Sequence, residues 1–211
     1  MKTRSKALLL TLCAVLLVAA SVLGTMAYLT ASDEVTNTFT VGSVGLTLDE
    51  AHVYQDGTVI PNVDRVRQNS YKLMPGHEYV KDPTVHVAMN SEDSWIFVKV
   101  ENGISAYEAA NSTEEGGYKT IAEQIKAYGW TALAGVDNVY YKVYDKDTVE
   151  NNLPVFSKFK IADDAEKTTG WGSFTDTKVT VTAYAVQKDG FTTAADAWNA
   201  TFGKTPATTE P

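Results

Sequence analysis

Tyr71–Gly103 reads YKLMPGHEYVKDPTVHVAMNSEDSWIFVKVENG, and this stretch decides the fold class. Pro75-Gly76 marks a turn, because proline presets φ and glycine tolerates the positive φ that follows. Val85, Val87 and Met89 alternate with Thr84, His86 and Ala88. After the polar Asn90–Ser94, the residues Trp95, Phe97 and Lys99 alternate with Ile96, Val98 and Val100. A period of two in β-branched and aromatic residues is the signature of strands, and the short polar turn predicts that the two runs form an antiparallel pair.

The same grammar extends outward. Ahead of this stretch, Ala51–Ile60 (AHVYQDGTVI) predicts a hairpin around Asp56-Gly57. Phe39, Val41, Val44, Leu46 and Leu48 recur at spacing two with one break at Gly42-Ser43, which reads as strand, bulge, strand. Beyond it, Tyr118, Ile121, Ala122, Ile125 and Tyr128 fall three and four apart, which predicts an amphipathic helix over Glu114–Tyr128 capped by Gly129. Strands are predicted at Gly129–Leu133, Asn138–Tyr144, Val155–Phe159 and Lys178–Val186, the last with Val179, Val181, Ala183 and Ala185 on one side. Thr192 or Thr193 caps a short helix that places Ala194, Ala197 and Trp198 on one face. Lys204–Pro211 is a Thr/Pro-rich tail expected to be disordered. Many short strands with two short helices predict a mainly β chain, an antiparallel β-sandwich of jelly-roll or immunoglobulin-like type over residues 28–203.

The N-terminus has a different composition. Lys2, Arg4 and Lys6 form a basic start, Ala7–Gly24 is almost wholly apolar, and Thr25-Met26-Ala27 places small residues at Thr25 and Ala27. This order predicts a helical secretory signal over residues 1–27, cut before Tyr28. The alternative is a retained anchor, since roughly 18 apolar residues is about the shortest span of a bilayer. Cleavage is the reading adopted, because the small-residue site lies where the apolar run ends. Membrane contact is then confined to the uncut chain.

Cys13 is the single cysteine of 211 residues and would leave with the signal. The mature chain would hold no disulfide, thiolate nucleophile or cysteine ligand. Three basic residues leave as well, so 18 Lys and Arg become 15 against 26 Asp and Glu, and the charge moves from −8 to −11. Nucleic acid is a poor partner for such a chain.

Candidate chemistry is sparse. No HExxH, GxSxG elbow or phosphate loop occurs, so no catalytic residue is assigned. His77, Glu78 and His86 are the weak candidates for a zinc site, and Asp145, Asp147 and Glu150 or Glu92 and Asp93 for calcium, though no EF-hand pattern supports them. Tyr140, Tyr141, Tyr144, Trp95, Trp130, Trp171 and Trp198 are candidates for a carbohydrate platform, against the default that such residues pack a sheet. Assembly needs less. An exposed sheet edge accepts a strand from a neighbour, and Tyr28, Leu29, Phe39, Val41, Val44, Leu46 and Leu48 supply an alternating segment that cleavage would free. The competing expectation is that Phe39–Leu48 is the first strand of its own sheet.

The junction GTMAYLTASDEVTNTFTVGSVGLTL, with Gly24, Thr25, Ala27, Tyr28, Thr30, Asp33, Asn37, Phe39, Gly45 and Leu46, resembles the SipW-type signal and mature start of the TasA/camelysin family. Leu73-x-Pro75-Gly76, Lys81-Asp82-Pro83 and the ending AYAVQKDGFTTAADAW are similar to secreted members of that class. The resemblance implies processing by a SipW-like signal peptidase, deposition outside the cell and a jelly-roll domain. It also implies homo-oligomeric assembly into biofilm matrix fibres through the N-terminal strand of a neighbour. Some members are labelled metallopeptidases; this chain lacks a recognisable zinc-hydrolase motif, and that activity is not carried over.

Overall fold

The computed structural model describes residues 12–17, 44–110, 117–147, 150–165 and 177–203. The chain divides into two compact units, Met1–Val41 and Gly42–Pro211. In the first, residues 12–17 are helical. Among the described residues no helix is long and apolar enough to cross a membrane. The calls on Thr25, Ala27, Tyr28, Leu29, Phe39, Val41 and the tail 204–211 lie outside the described residues.

The second unit is mainly antiparallel β with short helices. Strands β1 (Leu46–Asp49), β3 (Thr84–Val87) and β7 (Asn152–Pro154) form one sheet in the order β1-β3-β7. Strands β4 (Ser94–Asn102), β5 (Thr131–Ala132), β6 (Val139–Tyr144) and β9 (Val179–Gln187) form a second in the order β5-β6-β4-β9. β2 (Glu78–Val80) and β8 (Lys158–Lys160) pair separately. Helices α1 (Ile121–Ala127) and α2 (Ala194–Thr201) complete the described elements.

β4 is the central strand of the second unit. Ile96, Val98 and Val100 enter the main core, while Trp95 and Phe97, on the opposite face, enter a second core under α2. A strand buried on both faces needs apolar residues at consecutive positions, which Trp95–Val98 supplies. Val85 and Val87 of β3 enter the same main core as Ile96 and Val98. This corrects the antiparallel pairing predicted for the two runs. β3 pairs with β1 and β7, whereas β4 pairs with β6 and β9. The polar segment between them therefore carries the chain from one sheet to the other, and the two apolar faces share a core instead of an edge.

The strand predicted over Val155–Phe159 is divided. Leu153 registers with Val85 in one sheet and Phe159 with Tyr79 in another. Val155 and Phe156 between them are both fully buried. A pleated strand sends neighbours to opposite faces, so burying two adjacent side chains in one core requires the strand to break. The helix predicted from Glu114 begins instead at Ile121, leaving Tyr118 outside it. Thr120 is the N-cap, and a reciprocal capping box with Glu123 sets this start. Gly129 follows the helix at φ +81°, as its predicted capping role requires. The hairpin expected at Asp56-Gly57 is present, with Val53 bridged to Val59 and Gly57 at φ +85°. Thr193 caps α2, and Trp198 meets Phe97 edge-on at 5.2 Å.

Candidate functional site

Among the described residues, β1 and β9 end their sheets, each with a neighbouring strand on one side only. The two edges line one cleft of about 900 Å³, bounded by Leu46–Glu50 on one side and Thr177–Ala183 on the other. Leu46, Leu48, Val179, Val181 and Ala183 all pack on the main core yet remain only partly buried. Among the described residues the core is thus left partly uncovered between these two strand edges.

One end of the cleft is held by charge. Lys81 Nζ lies 2.6 Å from Glu50 Oε2, and both side chains are nearly buried. Asn69 Nδ2 donates to the other carboxylate oxygen at 2.9 Å and to the Ala51 carbonyl at 2.8 Å. Tyr71 donates to the Val80 carbonyl, and burial, reinforced by the Glu50 and Asp82 charges, raises its phenol pKa. On the outer face of β1, Arg65 ion-pairs with Asp49 and with Asp82, the latter at 2.9 Å. These contacts and the Glu50–Val66 bridge fix the C-terminal end of β1 to Arg65, Val66 and Asn69 and to Lys81-Asp82, while Leu46–Leu48 line the cleft.

The predicted site residues are distributed as follows. Leu46 and Leu48 lie in β1, paired to Val87 and Val85 of the same chain, and Val44 precedes that strand. His77 Nε2 meets the Asp56 carbonyl at 2.9 Å, and Glu78 ion-pairs with Lys158 at 3.0 Å. His86 lies between Asp49 Oδ1 at 2.9 Å and Asn152 Oδ1 at 2.6 Å. Both contacting atoms are oxygens, an arrangement that favours the charged ring. Burial opposes the charged ring, but the bonds to Asn152 and Asp49 and the Asp49 charge prevail and raise the His86 pKa. Asp49 is lowered: burial opposes its ionisation, but Arg65 and His86 outweigh it. Among the described residues no three His, Cys, Asp or Glu side chains group to hold a metal. Asp93 accepts from the Lys146 amide and Glu92 pairs with the Lys146 ammonium, so those acidic residues bind a loop together. Trp95, Trp130 and Tyr144 are core residues; Tyr141 and Trp198 pack in the second core. Trp171 lies outside the described residues.

The uncovered edge of β9 was not legible as a site. Its one signal is the run Lys178, Thr180, Thr182 opposite Val179, Val181, Ala183, a solvated face that fits an edge as well as an interior strand with one wet side. The fold therefore defines a mainly antiparallel β protein whose most evident surface feature is a cleft between two strand edges. No family model, curated protein or solved structure matches the chain.

Proposed function

We propose that this chain is an exported structural protein of the TasA/camelysin type, a β-sandwich of jelly-roll character that assembles outside the cell by strand donation. Residues 1–27 act as the signal, a SipW-like peptidase cuts before Tyr28, and the freed segment from Tyr28 towards Val44 docks on a neighbouring copy. The observation that carries the reading is the cleft in which, among the described residues, β1 and β9 leave adjacent edges unpaired over partly buried core side chains. An entering strand would gain main-chain hydrogen bonds and cover that apolar surface at about 25 cal/mol per Å². The segment leading into β1 is the occupant named because its alternating Phe39, Val41 and Val44 match the pleat of such a strand.

The test compares the chain beginning at Tyr28 with the chain beginning at Phe39 by size exclusion and electron microscopy. The longer chain is expected to form oligomers or fibres and the shorter one to lose them. If both stay monomeric across salt, pH and calcium, strand donation is wrong. Mass spectrometry of the secreted protein is expected to find Tyr28 as the first residue; a cytosolic chain still bearing Lys2 would end the export reading.

A further inference from the structure

A second cleft, of about 610 Å³, lies away from the β1–β9 edges, between α1 with the residues leading into it and β8. Its volume falls in the roughly 300–1,000 Å³ range of ligand sites. Among the described lining residues, Lys119, Lys158 and Lys160 stand against one carboxylate, Glu78, on a chain whose formal charge is −8. Glu78 is engaged by Lys158 at 3.0 Å. Lys160 Nζ sits 4.2 Å from the centroid of the Tyr118 ring and reaches Asp163 only at 4.0 Å. Tyr128, the C-cap residue of α1, lines the cleft and is 38% exposed.

The base of the cleft is built rather than incidental. Gln124, 7% exposed, donates its amide to the Lys119 and Lys158 carbonyls at 2.9 and 2.7 Å. Its carbonyl accepts from the Ser157 and Lys158 amides. One side chain thereby locks the two lysine-bearing walls at a fixed separation. Two aromatic rings and more ammonium than carboxylate groups among the described lining residues make a definite chemistry. Pyranose C–H faces pack on aromatic rings, and carboxylate or sulfate groups pair with lysine.

We infer that this cleft binds an anionic polysaccharide, with Tyr118 and Tyr128 contacting sugar faces and Lys119, Lys158 and Lys160 the acidic groups. The cleft shares no sheet-edge strand with the donation cleft, the two having only Phe159 in common among their lining residues. The full chain is titrated with polygalacturonate, heparin and neutral dextran by calorimetry at low and high salt. Polygalacturonate or heparin is expected to bind, the better of the two identifying carboxylate or sulfate as the preferred group, and dextran is not. Affinity should fall at least tenfold at high salt, since exposed pairs are screened within about 8–10 Å. Lys119→Glu with Tyr128→Ala, both exposed positions, should lower it tenfold or more while circular dichroism stays unchanged. Absence of binding by either anion, equal binding of dextran, or full affinity in the double variant overturns the assignment. A double variant that loses its β-sheet signal is replaced by Lys119→Gln alone, for which at least a threefold loss is expected and full affinity overturns it.

Discussion

At the scale of single residues, the chain places charge where it can be paired. The Glu50–Lys81 pair is nearly buried and its remaining carboxylate oxygen is satisfied by Asn69. Removing one partner strands the other in a poorly solvated site. Lys81→Met is therefore expected to cost about 3–5 kcal/mol in denaturant unfolding. Adding Glu50→Gln should recover part of that loss, and strictly additive costs would contradict the pairing. His86 behaves differently because its pKa is raised from 6.5. A raised folded pKa gives stability that is fully present below the unfolded value and disappears as pH rises through the folded one. Asp49, lowered from 3.8, contributes above that value and loses its contribution as pH falls through its folded pKa. The stability advantage of the native chain over His86→Gln should therefore be larger near pH 5.5 than near pH 8. A pH-independent difference would show that the ring is not held as an imidazolium.

At the scale of elements, α1 shows which local signals decide a boundary. It is only seven residues long, too short to be stable alone, and it is held from several sides. The capping box with Glu123 closes its start, and Glu108 accepts from the Ile121 amide. Gln124 then ties it to the break between β7 and β8. Thr120→Ala should cost about 1 kcal/mol, the usual value of a cap. Gln124→Ala should cost roughly 2 kcal/mol, because it leaves several backbone groups without partners. Equal losses in the two variants would mean that the cross-link to β8 contributes little. The hairpin at Gly57 is constrained by backbone as well as by space. A Cβ there would lie 2.7 Å from the Tyr79 Cα, at a φ of +85°. Gly57→Ala should accordingly cost more than about 1 kcal/mol and shift the Tyr79 environment, readable in near-ultraviolet circular dichroism.

At the scale of the whole molecule, protection should follow the layers. β4 has a paired neighbour on each side and a core on each face. Its amides are expected to exchange slowest with deuterium, close to the global unfolding rate. The outward edges of β1 and of β9 near Val179–Ala183 should exchange much faster in the monomer. On assembly the β9 amides should become protected if the cleft receives a strand; unchanged exchange there would remove docking at this edge.

Several strands and element ends were legible because each depends on a short-range rule. The alternation in Lys178–Val186, the Asp56-Gly57 turn, the Gly129 cap and the Thr193 cap each rest on a few neighbouring residues, and each reappears in the structure. Residues 46–48 carried the same alternation without revealing their partner strand. What the sequence by itself determined is therefore a mainly β chain and the local signals that begin and end its elements. Only tertiary structure decided that Thr84–Val87 and Ser94–Asn102 face one another across a core, that Val155 and Phe156 break a strand, and that β1 and β9 expose adjacent edges. The physical reason is that a period of two says which side chains share a face, whereas the choice of neighbouring strand depends on where distant apolar faces are buried together.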